Sequence, residues 1–438
     1  MNEIFKTILE KRAAGIPVGL YSVCSSNPMV LEATIRRVAI TKRPVLIEAT
    51  ANQVNQFGGY TGMTPTDFVK KIETLLKIYG VSKDLIVFGG DHLGPYPWRE
   101  LPSAIALGNA EILIRQFVAA GAQKVHLDAS MPLGDDRKEV LDPEVIARRS
   151  ALLCLAAEDE FKKLQSNGIL TIPPIYIIGT EVPAPGGETV GLEHDSSELA
   201  IRPTTRESFE LTYEVHKRAF EEQGLTNVWK RVMAVVVQPG VDFDSSKVYQ
   251  FQPKNIKNLR EALVNKSDIF FEAHSTDYQT TDALKNLVKE GFVFLKVGPA
   301  LTFAYREALF GLSQVSRILG LQKDSSSLED FMVEIMNINK SHWSSYYQTG
   351  DTQTLLFSLS DRIRYYWDIP EVQQRVDQLL EELSGVRFSV GILSQFFPRL
   401  GSLEDIVTRL DSYHSKQIVL DLIDAELTRY ENACMVSE

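Results

Sequence analysis

Short apolar segments alternate with segments of helical periodicity from the N-terminus to about residue 322. The short segments are rich in Val, Ile and Leu, which predicts strands buried on both faces. The eight predicted strands are residues 16–23, 44–49, 85–89, 124–128, 174–179, 231–238, 268–274 and 292–297. The predicted helices that follow them are residues 28–41, 66–79, 103–120, 143–165, 205–223, 255–264, 281–289 and 303–319.

This alternation predicts parallel strands joined by right-handed helical crossovers. Eight repeats favour a closed α/β barrel, the (β/α)8 TIM barrel, which would occupy residues 1–322. An open doubly wound sheet would carry a glycine-rich fingerprint after its first strand. The residues from Tyr21 to Ser26 contain no glycine, so the sequence argues against that alternative.

The pattern changes near residue 323, beyond which no further buried strand is predicted. Residues 323–438 are predicted to form an α-helical extension that packs on the barrel, with helices at 327–340, 352–366, 370–383 and 403–429. A group of aromatic residues in this extension is predicted to form its core, with an oligomer contact as the alternative. The group consists of Tyr346, Tyr347, Tyr365, Tyr366 and Trp367.

Composition narrows the class of protein. The chain has 438 residues, 44% of them hydrophobic, and a net charge of −11 from 46 basic and 57 acidic residues. It contains no Lys- or Arg-rich run, which argues against nucleic acid and anionic membranes as partners. Cys24, Cys154 and Cys434 are widely spaced, and no segment reads as a signal peptide or a membrane span. We therefore expect a reduced, cytoplasmic protein without disulfides.

Polar residues gather at the ends of the predicted strands. In TIM barrels the active site lies at the carboxyl ends of the strands, so these residues are expected to meet. Three of the seven histidines fall there, which favours a functional site over a purely structural barrel. The strand-end residues are Glu48, Thr50, Asn52, Asp91, His92, His126, Asp128, Thr180, Glu181, Gln238, Glu272, His274 and Lys296.

These residue types predict a divalent-metal site. His92 and His274, together with Glu181 or Asp128, would form a mixed nitrogen and oxygen site for zinc, manganese, nickel, cobalt or magnesium. His126 lies two residues before Asp128, so it would point the same way from one layer deeper. We therefore interpret His126 as a hydrogen-bonded core or orienting histidine rather than a direct ligand.

The roles of Lys296 and Glu272 follow from their positions. Glu272 precedes His274 by two residues and is predicted to orient that ligand. Lys296 is either a Schiff-base nucleophile or a cationic partner of the acidic cluster. The second role is favoured, because nearby carboxylates stabilise an ammonium group.

Two glycine-rich loops, residues 55–62 and 183–188, follow the second and fifth strands. They either close over a substrate or are plain connections, and neither has the sequence of a P-loop. In the extension, Arg362 and Arg364 stand two residues apart, a spacing that suits either a phosphate clamp or a surface helix with salt bridges. Gly58, Gly59 and Arg362 are the predicted substrate-binding residues from these segments.

Several long motifs resemble the GatZ/KbaZ family, the D-tagatose-1,6-bisphosphate aldolase subunit regarded as the non-catalytic partner of an aldolase. They are residues 47–63, 89–95, 126–130, 236–240, 295–301 and 361–367. The barrel also resembles the class II, metal-dependent aldolases. That resemblance implies that Asp91 is the general base and that His92 and His274 are metal ligands. It also places Glu181 on an acidic active-site loop.

The same resemblance has one departure. Gln238 stands where class II aldolases have a third histidine ligand, which argues against ordinary zinc-aldolase activity. Gln238 would either coordinate the metal weakly or hydrogen-bond the substrate. Some members of the family epimerise ketohexose 6-phosphates at C4, and the resemblance implies the same reaction here, between fructose 6-phosphate and tagatose 6-phosphate.

The expected site then has two parts. The expected catalytic residues are Asp91, Glu181, Lys296 and Asp128, and the expected substrate-binding residues are Glu48, Asn52, Gly58, Gly59, Gln238, Ser275 and Arg362. The alternative function is a component of a tagatose-bisphosphate aldolase, either catalytic or a stabilising subunit of a separate catalytic aldolase. A homo-oligomer is also expected.

Overall fold

The structure is a computed structural model that describes residues 1–137, 141–180, 201–264, 266 and 268–435. Eight parallel strands close into a barrel, and each strand pairs with its neighbours in chain order. The first and last strands close the barrel through parallel pairs from Leu20 with Phe294 to Val23 with Val297. The strands are β1 (Leu20–Cys24), β2 (Val45–Thr50), β3 (Ile86–Leu93), β4 (Lys124–Leu127), β5 (Ile175–Ile178), β6 (Val232–Val236), β7 (Phe270–Ala273) and β8 (Phe292–Val297). The predicted TIM barrel is confirmed.

Helices surround the barrel and form the extension. Those up to the last crossover are α1 (Glu3–Ala13), α2 (Pro28–Thr41), α3 (Pro65–Tyr79), α4 (Ser103–Ala119), α5 (Pro143–Ser166), α6 (Arg206–Glu222), α7 (Thr226–Trp229), α8 (Lys257–Glu261), α9 (Thr281–Lys289) and α10 (Pro299–Ile318). Those of the extension are α11 (Leu328–Ile338), α12 (Thr352–Phe357), α13 (Pro370–Glu382), α14 (Val390–Phe396), α15 (Leu403–Thr408) and α16 (Ser415–Cys434). No helix among these described residues is long and apolar enough to cross a lipid bilayer.

The first strand begins at Leu20, later than predicted, and the chain starts with a helix that the sequence analysis did not predict. Asn2 caps α1 by accepting a hydrogen bond from the Ile4 amide. Phe5 and Ile8 of this helix are buried in the cluster at the amino-terminal end of the barrel, where Phe5 meets Phe294 edge to face. The helix therefore closes the end of the barrel opposite the predicted site.

Two helices predicted in the extension are wrong in extent. Residues 403–429 form α15 and α16 with a break between them, where His414 caps α16 by accepting from the Gln417 amide. Residues 352–366 form α12 and then a 3-10 helix, Arg362–Tyr366, which starts after Asp361 adopts a left-handed φ of 48°. The α-helix therefore ends at Phe357, and the left-handed Asp361 introduces the short 3-10 helix that carries Arg362 and Arg364.

The extension shares the hydrophobic core of the barrel. Its last helix, α16, contacts α2, α9 and α10, and Glu431 pairs with Arg37 of α2 at 3.0 Å. Tyr347, Tyr366 and Trp367 are buried in this core, as predicted, whereas Tyr346 and Tyr365 are half-buried against it. The boundary at residues 322 and 323 stays a prediction.

Candidate active site

A pocket opens at the carboxyl end of the barrel, with a cavity volume of about 90 Å³. Strand ends supply its floor, and the loops and the extension supply its walls. Its polar lining includes Cys24, Thr50, Asn52, Asp91, His92, His274, Ser275, Asp277, Lys296, Arg364 and Tyr365.

Three imidazoles and one carboxylate converge at this end of the barrel. The potential ligand atoms of Asp91, His92, His126 and His274 all lie within 4.8 Å of one another, and all four residues are buried. The ring centroids of the three histidines are 4.8 to 5.2 Å apart. The structure thus brings together residues that are far apart in the chain: Asp91 and His274 are separated by 183 positions.

The backbone at His92 and Ser275 is unusual. Strand β3 continues past its predicted end at Gly89 to Leu93, and its register with β4 shifts between Gly90 and Leu93. His92 and Ser275 both adopt left-handed conformations, with φ values of 46° and 52°. Such conformations cost about 1–3 kcal/mol each and are concentrated at functional sites. Both residues with this conformation, His92 and Ser275, line the pocket.

Each of the three imidazoles is hydrogen-bonded to a carboxylate through one ring nitrogen. The pairs are His92 Nδ1 with Asp128 Oδ2 at 2.7 Å, His126 Nδ1 with Asp91 Oδ1 at 2.9 Å, and His274 Nε2 with Glu272 Oε1 at 2.9 Å. His126 Nδ1 also lies 3.1 Å from the His92 amide nitrogen, which donates to it. In the tautomer in which each carboxylate accepts a ring N–H, the other nitrogen of that ring carries a lone pair. Carboxylate–imidazole pairs of this kind orient metal-ligating histidines.

His126 shows whether the residues of the cluster fit a metal ion. Its Nε2 is buried and has no hydrogen-bond partner among the described residues, a costly state for a polar atom unless a ligand completes it. Neutral imidazoles suit zinc, manganese, cobalt or nickel better than magnesium, which prefers oxygen. The residues therefore fit a divalent cation of the nitrogen-binding group. The interpretation of His126 as an orienting residue stays a prediction, and its buried Nε2 makes it a potential ligand as well.

Asp128 lies behind His92 instead of joining the cluster of potential ligands. Its Oδ2 binds His92 Nδ1, and its Oδ1 accepts from the Ser130 hydroxyl at 2.7 Å and the Ser130 amide at 3.1 Å. Both oxygens are thus already used, which suits an orienting role and not the expected ligand role. Glu181, the other predicted acidic ligand, lies outside the described residues, as does the loop 183–188, so their roles stay predictions.

A network of buried charges lies under the cluster. The Lys296 ammonium contacts Glu48 Oε2, Asp91 Oδ1 at 2.9 Å and Glu272 Oε1 at 3.4 Å. Lys124 bridges Glu48 Oε1 at 2.9 Å and Glu272 Oε2 at 2.8 Å. Glu48 is fully buried and does not line the pocket, so the structure places it under the floor and not against a substrate.

The charges of this network set the protonation of the site. Burial alone would lower the pKa of Lys296, but Asp91, Glu272 and Glu48 outweigh it and hold that pKa well above its usual value. Lys296 is therefore an ammonium, the electrostatic role favoured from the sequence. Burial would raise the pKa of Asp91, but Lys296 and the imidazoles hold it well below its usual range. Asp91 is therefore a carboxylate.

The histidines differ in their pKa. Burial lowers the pKa of His274 to about 4, which leaves its imidazole neutral, the form that binds metals. Burial also acts to lower the pKa of His92, but Asp91 and Asp128 outweigh it and raise that pKa. The raised pKa favours the protonated imidazole at His92, so binding of a cation to this residue would release a proton, whereas His274 is already neutral.

The predicted substrate-binding residues fall into two groups. Asn52 and Ser275 line the pocket. Gly58 and Gly59 do not: they form a turn with left-handed φ values of 99° and 57°. A Cβ on Gly59 would lie 2.4 Å from the Gln53 carbonyl oxygen, so this glycine is explained by the turn itself.

Gln238 and Arg362 also lie away from the pocket lining. The Gln238 Oε1 accepts from the amides of Gly240 and Val241 at 2.9 and 3.0 Å, which fixes this side chain on its own loop. Arg362 is buried over the Tyr346 ring. The arginine that reaches the pocket is Arg364, a residue of the same predicted motif.

The sequence analysis missed further pocket residues. Tyr365 and Tyr60 pack edge to face at 4.9 Å and line the pocket beside Arg364. Cys24 ends β1 with its Sγ 3.5 Å from Asp91 Oδ2. The Asp361–Trp367 motif was the only sequence signal for this wall, because nothing local indicates which of its side chains turns inward.

A closed parallel barrel with carboxylate-backed imidazoles at its carboxyl end defines a TIM-barrel protein with a potential divalent-metal site. The chain belongs to the GatZ/KbaZ-like family: residues 5–435 match the family described as D-tagatose-1,6-bisphosphate aldolase subunit GatZ/KbaZ-like. This confirms the resemblance drawn from the sequence motifs.

Individual relatives agree in length and fold. The D-tagatose-1,6-bisphosphate aldolase subunit GatZ of Klebsiella pneumoniae is 41% identical over 434 residues, covering 98% of this chain and 99% of the relative. The protein of the same name from Escherichia coli O9:H4 is 41% identical over 432 residues, with the same two coverages. A crystal structure from Sinorhizobium meliloti, described as a probable tagatose 6 phosphate kinase, has a TM-score of 0.83 and 39% identity, covering 95% of this chain and 100% of that one.

Proposed function

We propose that this chain is a divalent-metal-dependent enzyme that inverts C4 of ketohexose 6-phosphates and so interconverts fructose 6-phosphate and tagatose 6-phosphate. The observation that carries the proposal is the convergence of three carboxylate-backed imidazoles and the Asp91 carboxylate at one pocket. Burying so many polar groups is costly, and a role limited to stabilising another subunit does not require them. The aldolase name of the relatives supplies the bond concerned, since aldol cleavage of a ketohexose breaks C3–C4.

In this proposal, His92, His126 and His274 would hold the cation, each through the ring nitrogen that does not contact a carboxylate. A bound divalent cation supplies Lewis-acid polarisation of the substrate carbonyl and stabilises negative charge on its oxygens. Asp91 accepts the proton of the C4 hydroxyl while the C3–C4 bond breaks. The electron pair of that bond passes to C3 and C2 and gives an enediolate, and C4 becomes an aldehyde carbon.

Re-addition completes the reaction. When the aldehyde turns before the C3–C4 bond forms again, C3 attacks the opposite face of C4. Asp91 returns its proton to the C4 oxygen, and C4 is inverted with atoms and electrons balanced. Lys296, 2.9 Å from Asp91, keeps that carboxylate ionised before each cycle and offsets negative charge near it. Release of both fragments would instead be aldolase activity from the same site.

A second function is favoured by the names of the relatives, which are called subunits of an aldolase. The chain would then stabilise a separate catalytic aldolase. The position of Gln238, whose amide oxygen is engaged by its own loop, also agrees with this role, because the sixth strand then supplies no ligand from the described residues. A homo-oligomer stays an expectation that light scattering of the purified chain tests.

The two functions are separated by assaying the purified chain alone with fructose 6-phosphate. Tagatose 6-phosphate should form, EDTA should abolish its formation, and manganese, cobalt, nickel or zinc should restore it. Asp91→Asn should remove turnover while Asp411→Asn, at an exposed aspartate, retains it. Absence of turnover with every metal, together with stimulation of a separately purified aldolase subunit, would establish the stabilising role instead.

A further inference from the structure

Arg364 is a cation of the pocket lining that forms no salt bridge among the described residues, although the carboxylates of Asp361 and Asp277 act on its charge from a longer distance. Lys296, which also lines the pocket, contacts three carboxylates. Arg364 forms no ion pair with any carboxylate in the described part of the chain, and its hydrogen bonds go to neutral oxygens. A half-buried guanidinium with this environment attracts an anion.

The orientation of Arg364 is fixed by the extension. Its Nη1 donates to the carbonyl oxygens of Ser360 at 2.5 Å and Asp361 at 3.0 Å, and its Nη2 donates to the Tyr365 hydroxyl at 3.0 Å. No acceptor among the described residues takes the Nε–H, and one of the two Nη2 hydrogens also has no acceptor there. An arginine edge of this kind suits the two-point recognition of phosphate oxygens.

A buried ion pair holds the turn that carries Arg364. Asp361 Oδ1 lies 2.9 Å from Arg306 Nη1, and Asp361 Oδ2 accepts from the Thr302 hydroxyl at 2.6 Å. Both partners belong to α10, the helix that follows the last barrel strand. The turn of the extension is therefore anchored to the barrel, and the guanidinium keeps its place on the pocket wall without help from a substrate.

The electrostatic environment agrees with an anion site at this wall. Burial would raise the pKa of the Tyr365 hydroxyl, but Arg364 and Arg362 outweigh it and lower that pKa. Two guanidinium groups therefore create positive potential beside Tyr365, although the whole chain carries a net charge of −11. This potential lies on the wall of a pocket whose floor holds the carboxylate of Asp91.

The usual phosphate position of a TIM barrel is already taken in this chain. Barrels often bind phosphate at backbone amides that follow the seventh and eighth strands. Here the amides of Gly298 and Ala300 donate to Asp277 Oδ1 at 3.0 and 2.8 Å. The protein's own carboxylate satisfies these donors, and Arg364 is the Lys or Arg side chain of the described lining that has no salt bridge.

We infer that Arg364 binds the 6-phosphate of the substrate and thereby keeps the phosphorylated fragment in the pocket between bond cleavage and re-addition. This inference rests on the proposed C4 epimerisation. Cleavage of fructose 6-phosphate at C3–C4 leaves the phosphate on the three-carbon aldehyde, and the other fragment is the enediolate of dihydroxyacetone. A fragment held by its phosphate can still turn its carbonyl, so both faces of C4 become available without release.

The test is the product ratio of Arg364→Gln. Relative to the unchanged chain, this variant should raise KM for fructose 6-phosphate by about 10- to 100-fold, the range for a lost hydrogen bond to a charged group. It should also increase the share of glyceraldehyde 3-phosphate and dihydroxyacetone over tagatose 6-phosphate. Arg364→Lys, which keeps the charge but not the two-point geometry, should lie between the two. Arg387→Gln removes an exposed arginine of the extension and should match the unchanged chain.

A binding measurement separates this inference from the proposed reaction. Calorimetry on the EDTA-treated full-length chain compares fructose 6-phosphate with fructose, without turnover. Phosphate-dependent affinity that Arg364→Gln removes supports the subsite even when no epimerase activity is found. Unchanged affinity, KM and product ratio in Arg364→Gln overturn the subsite and leave the epimerase proposal intact. Absence of binding by the unchanged chain overturns the subsite.

Discussion

His126 offers the sharpest test of the metal site, because the sequence pattern and the structure give it different roles. The substitution His126→Asn keeps a donor near the position of Nδ1, where the ring contacts Asp91 Oδ1 at 2.9 Å. It deletes Nε2, the buried nitrogen without a described partner. If Nε2 is a ligand, this variant removes one of three imidazoles from the site while retaining the contact with Asp91.

The expected loss of affinity is larger than that for an orienting residue. Loss of a residue that only orients a ligand lowers metal affinity by about 10- to 100-fold. His126→Asn should therefore weaken binding of zinc, cobalt or nickel by more than about 100-fold, measured by competition with a chelator of known affinity and by metal content after dialysis. Circular dichroism and thermal unfolding of the metal-free variant check that the barrel is intact.

His216 provides the matched control. It is also fully buried, its Nε2 also lacks a described partner, and its Nδ1 contacts the Thr212 carbonyl oxygen at 2.8 Å. It lies on α6 and has no part in the metal cluster. His216→Asn should therefore disturb packing to a similar extent and leave metal affinity unchanged. Wild-type affinity in His126→Asn would refute the ligand assignment and restore the orienting role inferred from the sequence.

Three further predictions follow from the same contacts. Asp128→Asn replaces the carboxylate that contacts His92 Nδ1. This variant should lower metal affinity by about 10- to 100-fold in the same competition assay. An effect as large as that of His126→Asn would mean that Asp128 itself is a ligand. Lys296→Met leaves Asp91, Glu48 and Glu272 with one fewer buried cation and should lower the free energy of unfolding by about 3–5 kcal/mol in urea titration, whereas Lys285→Met, at an exposed site, should not. Burial lowers the pKa of His216 from 6.5 to about 4, so between these values the unfolded chain binds a proton that the folded chain does not, and stability falls as pH falls. His216→Asn should make the pH dependence of the unfolding free energy shallower by about 1.4 kcal/mol per pH unit in this window, and an unchanged slope would contradict the neutral state of the buried ring.

The barrel could be predicted from the sequence because each of its strands is recognisable from a few consecutive residues. A strand buried on both faces must be apolar along its whole length, so it can be recognised from a run of consecutive apolar residues. Phe292–Val297 was predicted with its observed bounds, and the order of strands followed from the handedness of crossovers. Helices at the surface of the extension were less predictable. The left-handed Asp361, which precedes the 3-10 helix, is held by its contacts with Arg306 and Thr302, and both are distant in sequence.

The sequence by itself determined the barrel, the end of the barrel at which polar residues gather, and the pairing of Asp91 with His92 at one strand. Tertiary structure decided which of the gathered side chains face a ligand. His126 offers a free nitrogen, Gln238 is held by its own loop, and Arg364 reaches the pocket while Arg362 packs on Tyr346. The physical reason is that burial and strand ends depend on residues close in sequence. The orientation of a side chain depends instead on partners distant in sequence, such as Asp91 for His126 and Tyr346 for Arg362, which only the closed fold brings together.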